Sequence, residues 1–419
     1  MSAVRGCVLA AVAVVAAGAF GQASAPRVGG PPGSFMSARG AQLVLDGKPF
    51  EQVGFNKPDL PAYFRSGRNE DLRLARGLLD DLCSRGFGVL RVELFPSGPA
   101  QLEAILADQA VRNSYMDALD QMLQACEDHG MLLVCSLMSL DAWADLGHHS
   151  LGEAMRNPDS PGRLKGEAFI RLIVGRYQRR SIIAAWEIGP QYNLAADLQL
   201  AQGPLEDHQA DAPWRELHPA PVVRDGRNNF TSDELATFVA QVARLIRSID
   251  ADHLISAGYG APRREAMHLL RACRQKQPPQ YHDDNLDEQA QYLGLINPDP
   301  VDVICVSHFE MTPTHLTLLK AAADRIGKPM VVGRIGLSEP WTKPPRYDEP
   351  AAVDLVRCQL PVLRELHVPL TLYWRLADMP GPTTQPALAD HCCQAGATEE
   401  VLQLLAGYNR PESTQQAGP

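Results

Sequence analysis

Eight apolar runs of β-forming residues recur along this chain, and amphipathic helical stretches separate them. The runs are Glu51–Asn56, Gly88–Phe95, Met131–Leu140, Ile182–Gly189, Leu254–Gly260, Val301–Phe309, Pro329–Leu337 and Pro369–Ala377. Most are continuously apolar, as strands buried on both faces must be. Helical stretches lie between them at Asp71–Arg85, Tyr115–His129, Gly166–Arg179, Asp233–Ile249, His315–Ile326 and Ala352–Leu366, with a last one at Glu399–Gly407. In Asp233–Ile249, Leu235, Phe238, Val239, Val242, Leu245, Ile246 and Ile249 share one helical face. Thr231 or Ser232 is placed to cap its start. Eight strand–helix units in 419 residues predict an α/β fold, a (β/α)8 TIM barrel. The alternative is a doubly wound open sheet, weakened because no glycine-rich phosphate loop follows the first strand. No short internal repeat suggests a solenoid.

The segments flanking the barrel read differently. Residues 1–25 have the features of a signal peptide: Arg5, an apolar run from Val8 to Ala19, and Ala23-Ser24-Ala25 as a small-residue cleavage site. The alternative is an uncleaved anchor. Residues 26–40 are rich in Gly, Pro and Ser and read as a linker. Gln42–Phe50 alternates around Asp46-Gly47, a hairpin signal, and is expected to plug the bottom of the barrel. The barrel is expected over 41–409, and 410–419 as a flexible tail. The expected location is exported, periplasmic or extracellular, with no membrane contact after signal cleavage.

The formal net charge is −10, and no basic patch is present, which argues against a nucleic-acid partner. Nine cysteines, with Cys83 and Cys126 on expected helices and Cys135 and Cys305 on expected strands, do not form the dense framework of a small disulfide scaffold. No C-x-x-C or Cys/His spacing suggests a metal centre, and no cofactor is implied. Nothing in the sequence speaks to oligomeric state.

Three connections after strands are long: Asp141–Lys165, Pro190–Ser232 and Pro262–Asp299. In a barrel these gather at the C-terminal face, where sites are built. Trp143, Trp214, Trp341 and Trp374 lie in such connections or at strand ends, and Tyr63, Phe64, Tyr192 and Tyr259 also follow strands. Flat, rigid aromatic faces at a barrel mouth suit sugar rings. The same side chains would serve equally well to pack loops onto the barrel.

Two segments carry the chemistry. One is Trp186-Glu187-Ile188-Gly189-Pro190-Gln191-Tyr192-Asn193, at the fourth strand. The other is Val331-Val332-Gly333-Arg334-Ile335-Gly336-Leu337, at the seventh. They resemble the signatures of glycoside hydrolase family 5, the cellulases and β-mannanases. There W-E-x-x-N-E carries the acid/base glutamate and V-V-G-E-x-G the nucleophile. Gly54-Phe55-Asn56, Leu90-Arg91-Val92, Leu254–Gly258, Asp302–His308 and Leu372-Tyr373-Trp374-Arg375 resemble the family's first, second, fifth, sixth and eighth strands. The resemblance spans Gln42 to Ala377 and implies the barrel, a retaining glycosidase site and no cofactor. It also implies that Arg91 neighbours the nucleophile, that Trp374 floors the cleavage subsite, and that Glu187 serves a buried hydrogen-bond network.

The chain departs from that pattern where it matters most. Gln191 stands at the acid/base position and Arg334 at the nucleophile position. Retaining hydrolysis needs two carboxyls across the scissile bond. Gln191 has no proton to give at neutral pH, and losing general acid/base help costs about 10²–10⁴ in rate. Arg334 is a permanent cation and no nucleophile. Glu310 follows His308 where the family has a tyrosine beside the nucleophile, so an Arg334–Glu310 ion pair is expected; otherwise Glu310 points into a loop.

The leading expectation is a catalytically degenerate barrel that binds a β-linked polysaccharide or oligosaccharide through Asn56, Arg91, Tyr192, His308 and Trp374, with Trp143, Trp214 and Trp341 as outer platforms. The second is an active O-glycosyl hydrolase, of the endo-β-mannanase or glucanase type, that uses relocated carboxylates among Glu93, Glu310 and Glu339. The third is an envelope interaction module without a sugar ligand.

Overall fold

The computed structural model describes residues 34–96, 98–147, 150–198, 226–307, 312–336, 349–374 and 398–409. The expected signal peptide, the first part of the expected linker and the expected tail lie outside the described residues.

A short antiparallel sheet comes first: β1 (Ser37–Arg39), β2 (Gln42–Leu45) and β3 (Lys48–Pro49). The linker expected up to residue 40 therefore ends earlier, because Ser37–Arg39 pairs with Gln42–Val44. Asp46 and Gly47 both have positive φ, 53° and 75°, as a tight Asp-Gly turn requires.

Eight parallel strands follow: β4 (Gln52–Asn56), β5 (Val89–Glu93), β6 (Leu132–Ser136), β7 (Ile183–Glu187), β8 (Leu254–Ser256), β9 (Ile304–Ser307), β10 (Met330–Ile335) and β11 (Leu370–Tyr373). Their spatial order is β8-β7-β6-β5-β4-β11-β10-β9. The two end strands meet through the Ser256–Val303 bridge and through Asp302 and Val303 amides donating to the Ile255 carbonyl, at 2.9 and 3.2 Å. The sheet thus closes into the expected (β/α)8 barrel. Each strand is shorter than its apolar run in sequence. The run continues into the turn that leaves the barrel, as at Leu140, which begins the helix Leu140–Asp145.

Residues two apart share a strand face, and here the two faces are separate cores. Leu90 and Val92, Leu133 and Cys135, Ile304 and Val306, and Met330 and Val332 belong to the large core under the helices. Val89, Val134, Leu254, Val303, Cys305, Val331, Leu370 and Leu372 form a second core inside the barrel. Met36, Leu43 and Phe50 of the hairpin join this inner core, so the hairpin stops the N-terminal end as expected. A cavity of about 20 Å³ remains on the axis, far too small for a sugar.

The expected helices form, and some segments read as loops are helical too. Pro262–Asp299 contains the helices Ala266–Gln275 and Leu286–Ile296. Asp141–Lys165 contains the end of Leu140–Asp145, the helix Leu151–Arg156 and the start of Pro161–Tyr177. Thr231 caps Ser232–Ile249 through a capping box with Glu234. Cys83 and Cys126 lie on helices, and Cys135 and Cys305 on strands. No helix among the described residues is long and apolar enough to cross a membrane.

Candidate functional site

The inward face changes character along the barrel axis. Its lower positions are apolar, and its last positions are Asn56, Arg91, Glu93, Ser136, Glu187, Ser256, Ser307 and Arg334. This polar layer at the C-terminal strand ends is where a barrel builds its site.

Arg91 and Glu187 lie at its centre. Arg91 Nε donates to Glu187 Oε1 and Oε2 at 3.0 and 3.1 Å, and Nη2 also donates to Oε1. Both side chains are almost fully buried. Arg91 Nη1 donates to Asn56 Oδ1 at 3.3 Å, and Asn56 Nδ2 donates to the carbonyls of Gly333 and Tyr373 at 3.0 and 3.4 Å. One hydrogen-bonded chain therefore joins β4, β5, β7, β10 and the end of β11. Burial works against the Arg91 charge, but the Glu187 carboxylate and its hydrogen bonds more than reverse that and hold the guanidinium protonated. Asn56 and Arg91, expected to touch sugar, are committed to this chain at 0% and 3% exposure.

Arg334 reaches the site through a strand irregularity. The β9–β10 register passes from Val332–Val306 to Arg334–Ser307, skipping Gly333. A Cβ on Gly333 would lie 2.5 Å from Ser307 Oγ and 2.6 Å from Cys305 Sγ, so a side chain there would force those two buried groups to shift. The bulge re-aims the next side chain, and the Arg334 guanidinium carbon sits 3.7 Å from the centroid of a Trp374 ring. Burial, and then the neighbouring Arg91 charge, lower the Arg334 pKa to about 10; Glu93 and Glu187 oppose this. Arg334 remains cationic at neutral pH.

Gln191 lies just past β7 in the left-handed region, with φ 58° and ψ 27°. Its backbone amide donates to the Gly258 carbonyl at 2.8 Å. Gly258 also has positive φ, 76°, and a Cβ there would lie 2.3 Å from the Gly189 carbonyl and 2.5 Å from Glu187 Cδ. Gly258 thus packs against both the turn carrying Gln191 and the buried carboxylate.

Several expected sugar contacts are core residues instead. Trp143 and Tyr192 are both fully buried. Trp143 Nε1 donates to Tyr192 Oη at 2.8 Å, which donates to the Met138 carbonyl at 2.7 Å. Trp143 packs edge-on against Phe238, 5.0 Å between centroids. Gly162 and Gly166 leave it room, since a Cβ on either would collide with Trp143. Trp143 is not an outer platform and Tyr192 is not a sugar contact, because neither presents a face to solvent. Tyr63, Phe64 and Tyr259 are buried as well. Trp374 remains partly exposed.

Of the carboxylates considered for relocation, Glu93 is described. Its side chain is 36% exposed, with Oε1 3.5 Å from Arg91 Nη1. Glu310 and Glu339 lie outside the described residues, as do His308, Trp214 and Trp341; so does the expected Arg334–Glu310 pair.

Two features escaped sequence reasoning. Lys57 is buried just past β4, its ammonium 3.0 Å from Asp59 and 5.3 Å from the Tyr63 ring centroid. His268, Asp284 and Glu288 bring potential ligand atoms within 4.8 Å of one another on the helices after β8. Their spacing in sequence matches no metal motif. Only the helix at Ala266–Gln275, hidden in what reads as a loop, gives them a common place.

No protein-family model matches the chain, and no curated protein matches it in sequence. Solved structures do match in fold. An endo-1,4-β-mannanase from Rhizomucor miehei superposes with a TM-score of 0.60 at 15% identity, covering 90% of this chain and 98% of that one. A hyperthermostable endo-1,4-β-D-mannanase from Thermotoga petrophila gives a TM-score of 0.56 at 13% identity, covering 86% and 99%. A glycoside hydrolase family 5 mannosidase from Rhizomucor miehei gives 0.57 at 13% identity, covering 91% and 98%. At these identities the likeness is one of fold: this chain has the TIM barrel that those structures share.

Proposed function

We propose that this chain is a catalytically degenerate, exported relative of the family 5 mannanases that binds a β-linked glycan at the C-terminal face of its barrel without cleaving it. The position of Arg334 carries the reading. A guanidinium covers Trp374 at 3.7 Å where the family resemblance places a nucleophilic carboxylate. A cation there opposes the positive charge that develops on the sugar ring during hydrolysis. Gln191 supplies no proton on the other side. Glu187, the buried carboxylate of the same layer, is gripped by Arg91 and unavailable as acid or nucleophile. The ligand class follows from fold neighbours that act on β-1,4-mannan. The apolar segment near the N-terminus supports export.

Glu93 supports a second reading, hydrolysis by a relocated carboxylate, because it is solvent-reachable within the polar layer. One experiment separates the two. The chain is incubated at near-stoichiometric concentration with β-mannans, β-glucans and xylans, and both reducing-end release and glycan affinity are measured. Binding without release is the expected result. Release that vanishes in Glu93→Gln would replace the first reading by the second. Neither binding nor release would remove both, leaving an interaction module.

A further inference from the structure

Away from the barrel mouth, the two helices after β8 form a small polar cluster that the glycan reading does not use. Asp284 lies just before Leu286–Ile296, with its side chain fully buried. Its Oδ2 accepts the Met267 amide at 2.6 Å, and its Oδ1 accepts the His268 amide at 3.3 Å, so it closes the N-terminus of Ala266–Gln275. Oδ1 also lies 2.6 Å from His268 Nδ1. That contact fixes the ring orientation and turns Nε2 toward Glu288. Nε2 lies 3.9 Å from Glu288 Oε1. Glu288 Oε2 accepts the Asn285 amide at 3.0 Å, which fixes the carboxylate. The exposed His282 ring stands edge-on to His268, 6.1 Å between centroids.

We propose that His268 Nε2, Glu288 and His282 form a site for one divalent transition ion of the zinc class. Three independent features converge. Asp284 holds the His268 ring from behind, as carboxylates do for metal-binding histidines. A second imidazole, His282, stands on an exposed turn with its ring centroid 6.1 Å from that of His268, outside the compact ligand group, and swings in to bind. A mixed imidazole and carboxylate donor set suits zinc, copper or nickel and not calcium or magnesium. Tetrahedral zinc with bonds near 2.1 Å needs a nitrogen–oxygen edge of about 3.4 Å. The present 3.9 Å closes to that with a small side-chain shift. Arg271 also donates to Glu288 Oε1, so the ion competes with or displaces that guanidinium. Asp283 is paired with Arg264 at 2.7 Å and stays outside the site. The bound ion would tie the turn before Asp284 to both helices.

The test uses the intact chain and zinc alone. Zinc is titrated against a chromophoric chelator, and cobalt is substituted to read the donor atoms by absorption. One equivalent is expected, without thiolate charge-transfer bands. His282→Ala and Glu288→Gln should each weaken zinc binding by about tenfold or more, and should remove the rise in Tm that zinc confers on the wild type. Both variants leave Asp284 and His268 in place, and circular dichroism checks that Glu288→Gln, which alters the Arg271 pair and the Asn285 cap, still folds. No saturable binding, thiolate bands, or equal affinity in both variants would overturn the site. None of these outcomes depends on whether the barrel binds a glycan.

Discussion

Arg91 grips Glu187 at the centre of the barrel, Nε reaching both carboxylate oxygens at 3.0 and 3.1 Å and Nη2 reaching one of them. Among the described residues of the polar layer, the one almost fully buried carboxylate is thereby spent on structure. A buried pair of this kind is weak evidence of net stabilisation, but breaking it is expensive.

Glu187→Gln leaves a buried guanidinium short of its counter-ion and should destabilise the fold by about 3–5 kcal/mol. Urea unfolding with an unchanged m-value measures this. Replacing both residues by methionine should cost clearly less than Glu187→Gln alone. Equal losses would mean the two side chains do not act as a pair.

On the proposed glycan-binding reading, Arg334 and Trp374 set the expected behaviour of the site. A ligand that stacks on Trp374 must first displace the guanidinium 3.7 Å above it. A cation–π contact is worth about 0.5–2 kcal/mol. Arg334→Ala should therefore tighten mannooligosaccharide binding by about two- to thirtyfold, that energy expressed as an affinity ratio. Trp374→Ala should weaken it. Calorimetric titration reads both, and unchanged affinity in both variants would exclude Trp374 from the ligand site.

Asp250 predicts an acid-sensitive contribution to stability. It accepts from Trp186 Nε1 at 2.7 Å and faces His253 Nδ1 at 2.6 Å. Burial pushes its pKa up, but the His253 and Trp186 hydrogen bonds outweigh that and bring it down to about 2. A depressed folded pKa gives stability that is present above the unfolded value near 4 and is lost as pH falls toward 2. The shift corresponds to about 2 kcal/mol. The stability difference between wild type and Asp250→Asn should shrink by that amount between pH 5 and pH 2, as followed by urea midpoints. A pH-independent difference would contradict the assignment.

Gly258 and Gly327 share nearly the same φ, 76° and 77°, but only Gly258 is crowded. Gly327→Ala should cost about 1–2 kcal/mol, the left-handed penalty alone. Gly258→Ala adds a Cβ 2.3 Å from the Gly189 carbonyl, and should cost at least about 2 kcal/mol more from the added strain. Equal destabilisation would show that the turn under Gln191 is free to move.

The strands were readable because each run is apolar on both faces, and the hairpin because Asp46-Gly47 demands positive φ. The helix Ala266–Gln275 was hidden by its position inside a long polar connection. Trp143 and Tyr192 looked like surface aromatics by their place after strands. Their burial depends on Phe238, Gly162 and Gly166, which come from other elements. The family resemblance set Arg91 beside the nucleophile position, where its charge does act on Arg334, but its hydrogen-bond partner Glu187 lies 96 residues away.

By itself the sequence determined the barrel and the absence of carboxyl groups at Gln191 and Arg334. Hydrophobic period and residue chemistry are local properties, and they survive without any knowledge of neighbours. Only the tertiary structure decided that Glu187 is locked by Arg91, that Arg334 is turned onto Trp374, and that His268 meets Asp284 and Glu288. Those partners are chosen by strand register, by the bulge at Gly333 and by the packing of helices on the barrel. Each is a long-range geometric outcome that no window of sequence contains.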